Sequence, residues 1–387
     1  MDREVTLMEM LEAREVRAGR QRELLERYAR PVVSFTLNIA GPVKNGPVIR
    51  RAFREGLLRL EDALAARGLR PLHQEEVDRP TGCEALWAVD GPARTVKELC
   101  AGIEDRDPLG RLFDLDVLDP EGGKWDREAL GLPPRPCLVC GKAGKGCASR
   151  RLHPVEEIQE KTQTILRDFF AEKDRKFLAA QGARALLYEV CTTPKPGLVD
   201  RHNNGSHKDM DVFTFLDSTA ALLPYLERAA AIGQETAHRM PEETFERLRE
   251  AGLGAERTML RATGGVNTHK GAIFSLGCVL GACGRLWTPE GPCREPEEIL
   301  AECGRMSAPA AEGFFAALTR ENARTAGERL YVETGERGVR GEAAGGFPAV
   351  LKIGLPALRA AFASDARCST CKGTCYFALA FTIRLHH

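Results

Sequence analysis

The chain has 387 residues, with 55 Lys plus Arg against 55 Asp plus Glu, a formal net charge of zero and 6% aromatic residues. That balance leaves no basic field to attract nucleic acid and few rings for bases to stack on, and no apolar run approaches the roughly 18 residues of a membrane helix. Thirteen cysteines, an odd number, suit a reducing cytoplasm better than a disulfide framework, and the length favours two domains.

Residues 2–30 read as a charged amphipathic helix, with Leu7, Met10, Leu11, Leu24, Leu25 and Tyr28 at helical spacings and no apolar core of a signal peptide. The β-branched run 32–39 predicts a strand. It ends in a Gly41-Pro42 turn that carries Lys44, with Arg50 and Arg51 beyond; these cations are candidate contacts for phosphate or a carrier protein. Helix is predicted over 50–67 and 95–103, and strand over 84–89 and 112–118. On the last strand Asp114 and Asp116 share one face, because side chains two apart point the same way, while Leu112, Phe113, Leu115 and Val117 supply packing. Two carboxylates on one face suit Mg²⁺, which in nucleotidyl transfer neutralises the reacting phosphorus and the leaving pyrophosphate. Arg111, just ahead of the pair, is a further phosphate contact.

Cys137, Cys140, Cys147 and His153 then offer three sulfurs and an imidazole, a mixed set that zinc accepts, although the spacing matches no standard finger and reduced cysteines also occur in turns without metal. The Pro/Gly/Cys-rich stretch 133–154 marks the expected boundary between a mixed α+β domain, residues 1–153, and an all-α domain, residues 155–363. Helices are predicted over 155–178, 213–237, 242–251, 272–285, 296–301 and 308–331, with the chemistry on the loops between them.

Two of those loops stand out. Residues 194–211 hold two prolines and two glycines, which argue against regular structure before about Asp209. Asp200, His207, Asp209 and Asp211 suit a hard divalent cation, while Lys195, Arg201, His202 and Lys208 suit phosphate oxygens. Residues 263–271 run from Gly264-Gly265 through Asn267, His269 and Lys270 into the apolar stretch 272–284, a buried helix with small residues for close packing. Free N–H groups at the helix start favour an anion, the glycines let it approach, Lys270 adds a charge, and Asn267 and His269 add directional hydrogen bonds. A metal-bound polyphosphate satisfies both loops.

These motifs carry a family resemblance. Residues 20–153, with SFTLNIAGPVKN at 34–45, Thr81-Gly82-Cys83-Glu84, GRLFDLDV at 110–117 and the cysteine cluster, resemble holo-citrate lyase synthase, the phosphoribosyl-dephospho-CoA transferase. Residues 156 to about 363, with PKPGLVDRHNNGSHKDMD and TGGVNTHKG, resemble triphosphoribosyl-dephospho-CoA synthase. The resemblance implies a bifunctional cytoplasmic enzyme with ATP and 3′-dephospho-CoA as substrates, Mg²⁺ in both steps and the citrate lyase acyl carrier (gamma) subunit as partner. It implies Mg²⁺ on Asp209 and Asp211, phosphate clamps in Lys270 and the Gly264-Gly265 amides, and a further phosphate contact from Arg340 in the glycine-rich loop 335–342. Either His207 or His269 would protonate adenine, and either Asp200 or Glu189 would deprotonate the attacking hydroxyl. The alternatives are a non-catalytic accessory that binds the prosthetic group, a transferase-only protein, and a malonate decarboxylase-type synthase. Near Ser364 the sequence departs from the expected pattern, so residues 364–387 are read as a non-family tail left by a frameshift, a sequencing error or a truncated gene, with Cys368, Cys371 and Cys375 incidental.

Overall fold

The first helix begins where Thr6 accepts the free Glu9 N–H and Glu9 reaches back to the Thr6 N–H at 2.8 Å. The computed structural model describes residues 3–142, 147, 150, 152–292 and 294–363, which fall into two compact units divided between Phe170 and Ala171. In the first unit α1 (Leu7–Tyr28) leads into β1 (Val32–Leu37), α2 (Pro47–Ala66), β2 (Arg70–Arg79), β3 (Gly82–Asp90), α3 (Ala93–Asp105), β4 (Phe113–Leu118) and β5 (Lys124–Trp125). The strands form one antiparallel sheet in the order β2-β3-β1-β4-β5.

The two faces of this sheet have different jobs. Phe35, Phe113, Leu115 and Val117 are fully buried on the face that α2 and α3 cover. The missing side chain at Gly56 makes room there for the Phe35 ring, which stacks on Phe53 at 4.8 Å and meets Phe113 edge-on at 5.4 Å. On the opposite face Leu24 and Leu25 of α1 pack against Val32, Leu86 and Ala88. Ser34 pairs with Asp116 and Thr36 with Asp114, so period-two alternation puts both aspartates on this second face, beyond the part that α1 covers. Two residues of the expected α1 stripe do not pack, since Leu7 is 75% exposed and Leu11 42% exposed.

β4 also has an open edge. β5 pairs with Val117 and Leu118 alone, so the outward backbone groups of residues 113–115 lack a strand partner. Side chains replace it: the buried Glu104 carboxylate accepts the Leu115 N–H at 2.9 Å, Lys97 donates to the Leu115 carbonyl at 2.8 Å, and Arg135 donates to the Phe113 carbonyl at 2.9 Å. This satisfies the ladder and blocks further strand addition.

The helix α4 (Val155–Cys191) belongs to the first unit as far as Phe170 and to the second thereafter. The second unit continues with α5 (Val212–Thr236), α6 (Pro241–Ala262), α7 (Lys270–Arg285), α8 (Pro296–Ala316), α9 (Ala326–Thr334), α10 (Gly338–Ala344), a π-turn Val350–Gly354 and α11 (Leu355–Ala363). α7 is its central helix, buried along residues 275–284. It approaches α5 closely because a Cβ on Gly233 would run into the Gly281 carbonyl and one on Gly284 into the Ala230 carbonyl. At the end of α7 the buried Arg285 pairs with Glu302 of α8, and donates to the Thr236 carbonyl and the Thr244 hydroxyl at 2.7 Å and to the Arg239 carbonyl at 3.1 Å.

Several expectations change. β2 replaces an unassigned stretch, because its alternation is of half-buried and exposed polar residues and carries little apolar signal. α8 continues through Pro309 where two shorter helices were expected, and α10 occupies much of the predicted 335–342 loop. α4 runs well past residue 178. Residues 364–387 lie outside the described residues, and none of the described helices is long and apolar enough to cross a membrane. Replacing Gly233 with Ala should lower the stability of the second unit by about 1–3 kcal/mol, read as an earlier thermal transition for that unit with the other transition unmoved.

Candidate functional sites

Asp114 and Asp116 face a cavity of about 800 Å³ that belongs wholly to the first unit. Lys97, Arg111, Lys124 and Arg135 share its lining, as do Cys137 and His153. Lys124 pairs with Asp116 at 2.7 Å. Asp114 is open to the cavity, but the surrounding walls desolvate it, and that effect, with the Asp116 carboxylate beside it, pushes its pKa above the usual value. Glu104 is pushed up by burial, against the pull of Arg135 at 3.4 Å. Arg111 donates to the Pro136 carbonyl, and burial lowers its pKa.

The other cations proposed in this unit are elsewhere. Lys44 donates to the Ile39 carbonyl and so closes its own turn, Arg50 pairs with Asp78 at 3.6 Å, and Arg51 lies over the Phe170 ring at 4.1 Å. Asn38 and Ala40, from the same turn as Lys44, do line the cavity. Lys97 and Glu104 were missed by sequence reasoning. Their signal was an opposite-charge pair seven residues apart on a helix, which places both on one buried face.

Among the described residues one group of three or more potential metal ligands comes together: Cys137, Cys140, Cys147 and His153, whose ligand atoms all lie within 4.8 Å of one another. The Lys142 backbone and then His153 stabilise the Cys140 thiolate, which brings that thiol down to about 6. The group expected over 200–211 does not assemble. Asp200 is buried and accepts from the Thr193 hydroxyl at 2.7 Å and from the backbone N–H groups of His202, Asn203 and Lys195 at 2.8, 3.0 and 3.2 Å. These bonds, the Thr193 hydroxyl first, hold its carboxyl far below the usual range, so it organises the loop and does not present a free base. Asp211 caps α5 by accepting the Thr214 N–H at 2.9 Å. Arg201, His202, Lys208 and Asp209 are exposed, and His207 is half-buried.

The loop before α7 is built as a tight turn. Gly264 and Gly265 have φ of +65° and +94°, a backbone that other residues rarely adopt. Asn267 accepts the Lys270 N–H at 3.2 Å, so its side-chain oxygen serves the helix start. His269 is 5% exposed, with Nδ1 2.7 Å from the Ser218 hydroxyl, which itself accepts from Thr268 at 2.8 Å. The Nε2 atom is buried with no partner, and in the tautomer in which Ser218 donates to Nδ1 it carries the ring hydrogen. Burial, and secondarily Lys195, lower the His269 pKa to about 4, so the ring is neutral near pH 7. Lys195 pairs with Glu189 at 2.8 Å. Lys270 and Arg340 line a second cavity, of about 460 Å³, whose walls include Tyr225, Phe245 and Phe274, and Lys270 pairs with Glu256 at 3.1 Å. Ser218 was not foreseen, since a serine inside an apolar helix carries no signal of its own.

A sheet with paired aspartates and a helical unit with a neutral buried histidine thus stand in one chain, and each has its counterpart among known proteins. A family model described as apo-citrate lyase phosphoribosyl-dephospho-CoA transferase matches residues 5–169, and one described as ATP:dephospho-CoA triphosphoribosyl transferase matches residues 175–379. The class is therefore that of a bifunctional transferase. Protein CitXG of Leuconostoc mesenteroides subsp. cremoris is 36% identical over 365 residues, 92% of this chain and 78% of that protein. Protein CitXG of Haemophilus influenzae is 37% identical over 355 residues, 89% and 74% of the two chains. A probable 2-(5''-triphosphoribosyl)-3'-dephosphocoenzyme-A synthase of Lactiplantibacillus plantarum is 42% identical over 191 residues, 48% and 65%. The chain belongs to the CitXG family, and it makes and attaches the prosthetic group of citrate lyase. Because the second match continues to residue 379, the synthase domain is present, and the expected departure from the family near residue 364 is corrected.

His269 also sets a pH dependence. Its folded pKa of about 4 lies below the ordinary 6.5, so stability is complete above pH 6.5 and declines as the pH falls toward 4, by up to roughly 3 kcal/mol. Urea unfolding at pH 7 and pH 5 should show this decline, and His269→Gln should decline less. An equal decline in both proteins would count against the buried neutral ring.

Proposed function

We propose that the second unit joins the triphosphoribosyl part of ATP to a ribose hydroxyl of 3′-dephospho-CoA, releasing adenine. The first unit then transfers the phosphoribosyl-dephospho-CoA group to a serine of the citrate lyase acyl carrier subunit, releasing pyrophosphate. The family membership supports the order of the two steps, and the observation that carries the assignment of sites is the Asp114–Asp116 pair facing a cavity with a cationic lining. A cytoplasmic location suits free thiols such as those of the Cys137 cluster.

In the carrier-loading step the serine oxygen forms a bond to phosphorus as the bond to pyrophosphate breaks. Arg111 and Lys124 meet the phosphate charge, while Lys97 and Arg135, committed to the backbone, keep β4 in place. Asp114 and Asp116 are adjacent on one face and open to the cavity, which fits a divalent cation. A magnesium ion there would supply charge neutralisation at the phosphorus and at the leaving pyrophosphate. Asp114, with its raised pKa, is suited to take the serine proton.

In the synthase step the bond from ribose to adenine breaks, the bond from ribose to the dephospho-CoA oxygen forms, and the hydroxyl proton is released toward the leaving base. His269, neutral and with Ser218 at its Nδ1, offers an Nε2–H hydrogen bond to the departing adenine and keeps its proton, while the proton that adenine gains is the one the hydroxyl gives up. Glu189, paired with Lys195, is the candidate base for the hydroxyl. Lys270, Arg340 and Lys195 supply positive charge for the triphosphate. Asp209 and Asp211 do not fit a magnesium pair, because Asp211 is committed to the start of α5.

Asp114→Asn should cut carrier loading by ~100-fold or more while adenine release from ATP and dephospho-CoA continues. Both are read by mass spectrometry of the products, and equal loss of the two activities would sink the two-site assignment. Ser218→Ala should lower adenine release by roughly 10- to 100-fold and leave loading from preformed prosthetic group unchanged.

A further inference from the structure

The cysteine and histidine cluster of the first unit is used by neither reaction step. Its geometry is nonetheless specific. Cys137 and Cys140 flank a tight turn in which the Gly141 N–H returns to the Cys137 carbonyl at 3.0 Å, and Gly141 sits at φ +71°, so the two sulfurs converge. Cys147 is 7% exposed, and its sulfur lies 3.5 Å from that of Cys140. That is far beyond the about 2.05 Å of a disulfide. It is close to the about 3.8 Å between sulfurs at two corners of a tetrahedron whose arms are about 2.3 Å, the zinc–sulfur distance.

His153 completes the set and is oriented for it. Nδ1 lies 3.1 Å from the Glu157 carboxylate, in the first turn of α4, while Nε2 is buried with no hydrogen-bond partner, and the residue contributes a ring nitrogen to the group of ligand atoms. A carboxylate that holds one imidazole nitrogen so that the other faces a metal is the usual outer support of a metal-bound histidine. Three sulfurs and one imidazole give a closed tetrahedral set with no position left for substrate. The structure therefore carries both the ligands and the second layer that orients them.

We infer that Cys137, Cys140, Cys147 and His153 bind one zinc ion, and that this ion pins the wall of the carrier-loading cavity. The connection to the cavity is direct. Cys137, Cys147 and His153 line it together with Asp114 and Asp116. The residues just before Cys137 clasp β4: Arg135 donates to the Phe113 carbonyl at 2.9 Å, and the Pro136 carbonyl accepts from Arg111. Zinc thus fixes the segment whose arginine holds the strand that bears the two aspartates. The ion acts as a structural anchor and takes no part in bond making.

Metal analysis of the full chain purified without chelator should find about one zinc per chain. Cys137→Ser and Cys140→Ser should each lose most of it, whereas Cys191→Ser, outside the cluster, should keep it. Cobalt exchanged into the unaltered chain should give the visible bands of a tetrahedral thiolate site together with intense sulfur-to-metal charge transfer, a readout that does not depend on any variant folding. Mass spectrometry showing a Cys140–Cys147 disulfide, a metal-free chain after growth with zinc, or full zinc retention in both serine variants would overturn the assignment. These readouts are independent of activity, so the zinc site and the two-step reaction fail separately. If the ion also pins the cavity wall, a chain stripped of zinc, freed of chelator and assayed with Mg²⁺ in excess should load the carrier at least ten-fold more slowly while adenine release persists; unchanged loading by a verified zinc-free chain would overturn the anchoring role.

Discussion

The open edge of β4 is the constraint on which the carrier-loading site rests. A strand that lies second from the edge of a sheet normally completes its hydrogen bonds with its neighbour, but β5 is only two residues long and leaves residues 113–115 without one. A backbone group buried without a partner costs about 1–3 kcal/mol. Here Glu104, Lys97 and Arg135 take the place of a strand, and their charges balance one another within the same small region. The consequence is positional. Asp114 lies between the two residues whose backbone groups are clasped, so its carboxylate is held by bonds that run in the plane of the sheet while it points out of that plane. A longer β5 would have satisfied the same groups and covered part of the cavity.

The two candidate sites handle charge in opposite ways. In the first unit, acids and cations are gathered around an open cavity, where a highly charged phosphoryl group can be received without first stripping water from an isolated ion. In the second, the histidine is desolvated until it is neutral, with one ring nitrogen at the Ser218 hydroxyl and the other buried without a partner. The difference suits the two tasks proposed for them. Transfer at phosphorus is governed by charge neutralisation, whereas a departing purine needs a hydrogen-bond donor at one nitrogen.

Much of the first unit was legible in the sequence because its signals were local. The period of two in Phe113-Asp114-Leu115-Asp116-Val117 fixes which side chains share a face, and the sheet keeps that arrangement. β2 escaped detection because its half-buried positions include His73 and Glu75, and Glu75 pairs with Arg20 of α1, so polar residues take places that apolar ones would otherwise mark. In the second unit the loops were recognisable but the duties of their residues were not. Asp200, Asp211 and Asn267 have side chains of the kind that bind metals or phosphates, and each is instead spent on a backbone N–H that the fold had left open. Such competition is invisible without knowing where helices begin. Ser218 shows the converse: a residue with no sequence signal acquires meaning once α5 lies beside the start of α7.

The arginine at the end of α7 has a consequence for how the helical unit holds together. One guanidinium serves groups on α7's neighbours α5, α6 and α8 and on the turn between the first two. If any one of those elements peels away, the remaining partners are left facing a buried charge whose bonding is incomplete, so partial opening is penalised more than its lost contacts alone would suggest. Such an arrangement couples the four helices into a single cooperative block and gives intermediate states little population.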